Sequence, residues 1–342
     1  MGNTTSCFDI VARVAPNKNE FSKRGAAVLT GATSGIGEPT LESLLLAGYD
    51  RVFACARSQK RASATLDAIS AKLGADAVKR VTVVDVNLDD LRSVAAAAAR
   101  IDKEAGDAGV DVLINNAGVM MTPYWCTKQG LEWQVGINHF AHVLLTDRLL
   151  GALRRAGAAR ADEQQPARVV FVSSAAHQWC YKDGDGWKQA TFKHDASRAG
   201  AYSSRTAYGQ SKLANVLAAR NYDARFRKDA EPIAAFSLHP GVIPTNLARD
   251  MWGGSVFVTL GRPFMKTIPQ GAATTVFCAL SPTALADRGG YFADAAVATV
   301  SAQGRSDDSA DRLMTITRSV LDEVLAAPDV PNAHGGAAAA AA

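Results

Sequence analysis

Residues 26–39 read "AAVLTGATSGIGEP", and this stretch decides the fold. An apolar run is cut short by glycines at 31, 35 and 37, and helical spacing starts directly after them. A turn this tight needs residues without a Cβ, so that backbone can approach a pyrophosphate held at the N-terminus of the next helix. Pro39 falls in that helix's first turn, where a missing N–H costs little. Gly31, Ser34, Gly35, Ile36 and Gly37 are therefore the candidate phosphate-loop residues.

Outward from the loop the same alternation repeats. "RVFACA" (51–56), "RVTVVDV" (80–86), "VDVLIN" (110–115), "ARVVFVSS" (167–174) and "IAAFSLH" (233–239) predict buried strands. Segments between them, such as "GEPTLESLLLAG" (37–48) and "TLDAISAKLGA" (65–75), carry helical apolar spacing. Strand, helix, strand in succession predicts a parallel, doubly wound α/β sheet. No composition break divides it, so one domain is expected over 23–326. A polar lead over 1–22 is expected to be flexible, and a tail over 327–342, ending in six alanines, to be disordered. Two long connections, 175–201 and 242–268, are expected to line a site.

The chain has 342 residues, 48% hydrophobic and 20% charged, which is a globular balance. A net charge of +4 with no dense Lys/Arg run gives no case for nucleic acid. Five scattered cysteines never spaced C-x-x-C suggest neither a disulfide framework nor a zinc site, and point to a reducing compartment. No apolar run spans a bilayer and no secretory signal is visible, so a cytoplasmic protein is expected.

The end of the second strand chooses the cofactor. About twenty residues past the glycines, a carboxylate would hold a ribose 2′-hydroxyl and an arginine would accommodate a 2′-phosphate. Arg57 stands there, with Lys60 and Arg61 close behind, which favours NADP(H). Further on, "YGQSK" (208–212) puts Tyr208 and Lys212 at i and i+4, on one helix face. A free phenol, with a pKa of about 10, is a poor acid-base group at neutral pH. A cation beside it is expected to draw that pKa down. Ser174 ends a strand where doubly wound sheets place ligands, and its hydroxyl would bond an oxygen on which charge develops.

In this order, "TGATSGIG" (30–37), "NNAG" (115–118), "VSS" (172–174), "YGQSK" (208–212) and "HPG" (239–241) resemble the short-chain dehydrogenases/reductases, over roughly 23–292. "NNAGVMMTPY", "INHFAHVLLT" and "YGQSKLANVL", with the long insert before the tyrosine, are most similar to the retinol dehydrogenase and WW-domain oxidoreductase branch. The resemblance implies a Rossmann fold, NADP(H), and interconversion of a carbonyl and an alcohol on an apolar small molecule. It implies that Tyr208 exchanges the proton, that Lys212 also holds the nicotinamide ribose, and that Ser174 rather than Ser173 is the serine. It gives Asn138 the task of orienting a water that links the lysine to solvent. Asp85, Asn115, Ala117 and Gly118 would cradle adenine and its ribose, although Asn115 could equally brace the sheet. Pro240, Gly241 and Thr245 would touch the cofactor near its nicotinamide. Pairing into a homodimer through helices is common among such relatives.

A second reading is a catalytically silent NADP(H)-binding regulator on the same fold; the intact set of Ser174, Tyr208, Lys212 and Asn138 argues against it. A nucleotide-sugar epimerase would bring other glycine spacing. His139 and His142 read as packing residues. Trp179, Tyr181, Trp187 and Phe192 read either as an apolar mouth or as the insert's own core. The N-terminus, "MGNTTSC", fits the acylation pattern at Gly2 and Ser6, and Cys7 would carry a second acyl chain. That would place the protein on the cytosolic face of a membrane.

Overall fold

The computed structural model describes residues 5–14, 24–57, 59–180, 192–193, 195–243 and 265–330. Eight strands among them form one sheet: β1 (Arg24–Thr30), β2 (Tyr49–Ala56), β3 (Val81–Asp85), β4 (Val110–Asn115), β5 (Ala167–Val172), β6 (Ile233–His239), β7 (Tyr291–Ala293) and β8 (Ala296–Val297). Their spatial order is β3-β2-β1-β4-β5-β6-β7-β8. All neighbours are parallel except β7 and β8. The order reverses between β1 and β4, and a doubly wound sheet opens its ligand crevice at that point.

The strands are apolar on both faces because both are covered. On β1, Val28 faces one core while Ala27 and Leu29 face the other. On β5, Val169 and Phe171 go one way and Val170 and Val172 the other. The first core is closed by α5 (Leu91–Ala105), α7 (Ala141–Ala159), α8 (Ser204–Lys228) and α10 (Asp307–Ala326). The second is closed by α2 (Gly37–Leu46) and α9 (Ile268–Leu280), with α3 (Gln59–Leu73) along the edge. Side chains cap the helix starts: Asp90 for α5, Ser203 for α8, and a Thr267–Gln270 capping box for α9.

Both chain ends differ from the expectation of loose segments. Cys7–Val14 is a helix, α1, which lays Cys7, Ile10 and Val11 against α9 and α2. Ser6 and Asp9 cap it reciprocally. Phe8 and Val14 pack beside these three, so an eight-residue helix with a well-formed apolar face fills the groove. Cys7 is fully buried, its thiol pushed up to about 11 by burial, and Sγ lies 3.8 Å from the Pro39 carbonyl. An acyl chain on Cys7 would therefore require α1 to leave this groove. Gly2 lies outside the described residues. At the other end, residues 327–330 are held on the turn after Lys128: Val330 N–H donates to the Lys128 carbonyl at 2.8 Å and Gln129 Nε2 to Asp329 at 2.8 Å, and Arg92 pairs with Asp329.

Candidate active site

A cavity of about 1260 Å³ opens at the carboxyl ends of the strands. One end is built locally. Gly31 and Gly35 have φ of +67° and +56°, a region that side chains with a Cβ avoid. A Cβ on Gly37 would lie 1.9 Å from the Gly31 carbonyl oxygen, so only glycine lets α2 start this close to β1. Thr30 ties the loop to the next strand. Its Oγ1 accepts from the amides of Asn116 (2.9 Å) and Ala117 (3.0 Å). It also meets His142 Nε2 at 3.0 Å, while His142 Nδ1 donates to the Asn138 carbonyl at 3.0 Å.

Ser34, Gly35, Ile36, Arg57, Ala117, Gly118, Pro240 and Gly241 all line the cavity, as expected. Three do not. Asp85 ends β3 exposed, and the wall beside it is made by Val86 to Asp89. Lys60 points away and Arg61, one residue on around the helix, takes the place beside Arg57. Asn115 is buried and donates to Thr146 Oγ1 at 3.0 Å, so it braces α7 against β4. Its neighbour Asn116 is at the wall instead. Thr245 lies outside the described residues.

The other end is assembled from distant segments. Ser174 follows β5, and its hydroxyl lies near enough to the Tyr208 phenol of α8 to favour the phenol's charged form, with both on the cavity wall. Ser174 Oγ also accepts from Ala176 N at 3.2 Å. Ser173 is turned away and donates to the Lys212 carbonyl at 2.7 Å, fastening α8 to the strand. A Cβ on Gly209 would lie 2.7 Å from the Ala176 oxygen, so this glycine lets α8 touch the turn that carries Ser174. Lys212 Nζ donates to the Val172 carbonyl at 3.0 Å and lies 5.8 Å from the Tyr208 ring centroid.

The electrostatics differ from the expectation of a lowered phenol. Burial pushes Tyr208 up to about 12 and Lys212 down to about 8. Burial disfavours the charged form of each group, and the Lys212 Nζ donates to a backbone carbonyl. The phenol is thus held protonated at neutral pH. Asn138 sits in a π-helical turn, Gly136–Phe140, and is fully buried. Its amide accepts from Val119 N at 2.8 Å and donates to the Val119 carbonyl and Ser211 Oγ, each at 2.9 Å. It therefore pins the strand-end loop and α8 together behind the cavity wall.

Sequence reasoning missed the support of the apolar wall. Met121 lines the cavity with φ of +51°. Its N–H donates to Gln134 Oε1 at 2.8 Å, and Gln134 bonds Tyr202 at 2.7 Å, which bonds buried Glu132 at 2.9 Å. Trp179 stands at the mouth, under the Arg205 guanidinium at 4.2 Å. Phe192 instead packs on Phe140 in the main core, which is neither the mouth nor a core of the insert's own; Tyr181 and Trp187 lie outside the described residues. His139 meets Thr317 at 2.9 Å.

The sequence model of the family described as short chain dehydrogenase matches residues 25–183. Retinol dehydrogenase 12 from Mus musculus is 34% identical over 329 residues, covering 93% of this chain and 96% of its own length. The chain belongs to the short-chain dehydrogenase/reductase family. It is an oxidoreductase family that acts on CH–OH and C=O groups with a nicotinamide cofactor. Short-chain dehydrogenase TIC 32 B from Brassica napus is 33% identical over 304 residues, covering 89% of this chain and 90% of its own. Among solved structures, an uncharacterized protein from Mycobacterium Paratuberculosis superposes with a TM-score of 0.64 at 26% identity, covering 88% of this chain and 94% of its own. An NADPH-bound carbonyl reductase from chicken fatty liver shares the fold, with a TM-score of 0.58 at 22% identity, over 82% of this chain and all of its own.

Proposed function

We propose that this short-chain dehydrogenase/reductase interconverts a carbonyl and an alcohol on an apolar small molecule, of the kind of a retinal, lipid aldehyde or steroid ketone, with NADP(H). The observation that carries the reading is the meeting of Ser174, Tyr208 and Lys212 on the wall of one large cavity, at the opposite end from the glycine loop. The residues present fit a dinucleotide. The glycine loop offers amides at the start of α2, Asn116 Oδ1 is buried at the wall with no partner, and Arg57 and Arg61 supply the charge a 2′-phosphate requires. Ala117, Gly118, Pro240, Gly241 and Thr245 would hold the remainder. When bound, the nicotinamide supplies or accepts the hydride.

The chain's own residues do the rest. Tyr208, protonated at neutral pH, gives its hydroxyl proton to the carbonyl oxygen in reduction. Ser174 bonds that same oxygen and the Tyr208 hydroxyl, and so holds the acceptor in line. Lys212 places positive charge where the phenolate develops, and Asn138 fixes the loop at Val119 that faces the substrate. Met120, Met121, Trp133 and Ile137 exclude water and favour an apolar ligand. A lipid anchor at Gly2 would bring the protein to the membranes where such ligands partition.

The test is nicotinamide oxidation by purified protein over a panel of aldehydes and ketones, with NADPH and with NADH. Turnover that prefers NADPH and vanishes in Tyr208→Phe is expected. NADPH binding with no turnover on any carbonyl would favour the silent regulator.

A further inference from the structure

The turn after Ser174 contains a histidine that the reaction scheme leaves unused. His177 is fully buried beneath the cavity wall, its ring edge-on to Tyr291 at 4.9 Å. Its two nitrogens meet opposite partners. Nδ1 lies 2.8 Å from the Ser174 carbonyl oxygen, which can only accept. Nε2 lies 3.2 Å from the backbone N–H of Ser301, which can only donate. The two neighbours therefore dictate the proton: it sits on Nδ1, and Nε2 offers its lone pair. Burial pushes the ring's pKa down, in keeping with a neutral imidazole.

This arrangement anchors one peptide. The Ser174 carbonyl also accepts from the His177 backbone N–H at 3.1 Å, so a single residue grips it twice. The grip is transmitted to the segment after β8, where Cys180 Sγ meets Gln303 at 3.4 Å and Ser301 Oγ caps Gly304. On the opposite side Gly209 of α8 presses against the Ala176 oxygen. The Ser174 peptide is thus held between α8 and the C-terminal segment.

We propose that His177 is the positioning residue for Ser174: its Nδ1–H, oriented by the Ser301 amide, aims the Ser174 hydroxyl at Tyr208. This rests on the role given to Ser174 above. Two variants separate the two nitrogens. In His177→Asn the amide nitrogen falls near Nδ1 and keeps the Ser174 bond while losing Ser301. In His177→Gln the amide oxygen reaches the Nε2 position and keeps Ser301 while losing Ser174.

Two readouts are needed, the first independent of turnover. The 13Cζ resonance of Tyr208, assigned by comparison with Tyr208→Phe, reports the hydrogen bond from Ser174. In His177→Gln it should move as it does in Ser174→Ala; in His177→Asn it should stay at the wild-type position. In steady-state reduction, His177→Gln should lower kcat about tenfold, the effect of one lost hydrogen bond, with KM for NADPH unchanged, whereas His177→Asn should stay within about threefold. Equal Cζ shifts in both variants, or a wild-type shift in His177→Gln, would overturn the proposal. So would equal losses of kcat accompanied by weaker NADPH binding, which mark a merely structural ring. A wild-type protein that turns over no carbonyl but shows the two Cζ shifts as expected would instead sink the proposed reaction and leave the positioning intact.

Discussion

The two ends of the cavity are built by opposite means. The glycine-loop end is one continuous segment, Thr30 to α2, whose shape follows from three glycines and a helix start. The Tyr208 end brings together the ends of β4 and β5, the π-turn at 136–140, α8 and Ser301 after β8. Local backbone needs make the first end. Long-range hydrogen bonds to carbonyls make the second, and only a finished core can supply those at correct distances.

The comparison can be broken most severely at Tyr208. Replacement by Phe should lower turnover by at least about a thousandfold while NADPH binding and melting temperature stay near wild type; retained turnover would show that the assembled end is not the reacting one. The local end should break in the opposite manner. Gly37→Ala puts a methyl against the Gly31 carbonyl, and should weaken NADPH binding by at least about tenfold and cost about 1–3 kcal/mol of stability, read by calorimetry. Arg57→Ala should leave folding alone and erode the preference for NADPH over NADH by about ten- to a hundredfold, the worth of one charge-assisted contact to a 2′-phosphate.

A pH titration sharpens the contrast. His142 and His239, behind and on the cavity wall, are pushed by burial from 6.5 to about 4, and His139 to about 3. Each is held neutral in the fold, so the unfolded chain binds more protons in this window. Their contribution is fully present above pH 6.5 and is lost as pH falls from there towards 4. Urea midpoints should drop over that interval. The smallest effect belongs to the tail. Deleting 327–342 removes the exposed Arg92–Asp329 pair and the Val330–Lys128 bond, and should cost no more than about 1–2 kcal/mol.

Much of this was legible in the chain. Six of the strands and their parallel order follow from apolar runs bounded by turns, because a strand buried on both faces has no polar positions to hide it. β7 and β8, "YFA" and "AV", were not legible: three and two residues show no period, and only a neighbouring edge makes them strands. The distinction recurs residue by residue. Arg57 was placed by counting from the glycines, yet the count could not say that Arg61 rather than Lys60 shares its wall, since that depends on how α3 is rotated about its axis. Asn115 and Asn116 are adjacent letters, and the pleat alone sends one to Thr146 and the other to the cavity.

By itself, then, the sequence determined what the backbone must do locally: where glycine is obligatory, where helices start, which residues a helix puts on one face. The tertiary structure decided which charges count. Tyr208 and Lys212 were readable as a pair at i and i+4, but burial sets the direction in which each pKa moves. It also decided that Cys7 is core, and that the His177 ring gripping Ser174 is held from behind by an amide more than a hundred residues away. Spacing along a chain carries conformational preference; desolvation and hydrogen-bond partners exist only once distant segments have closed around a group.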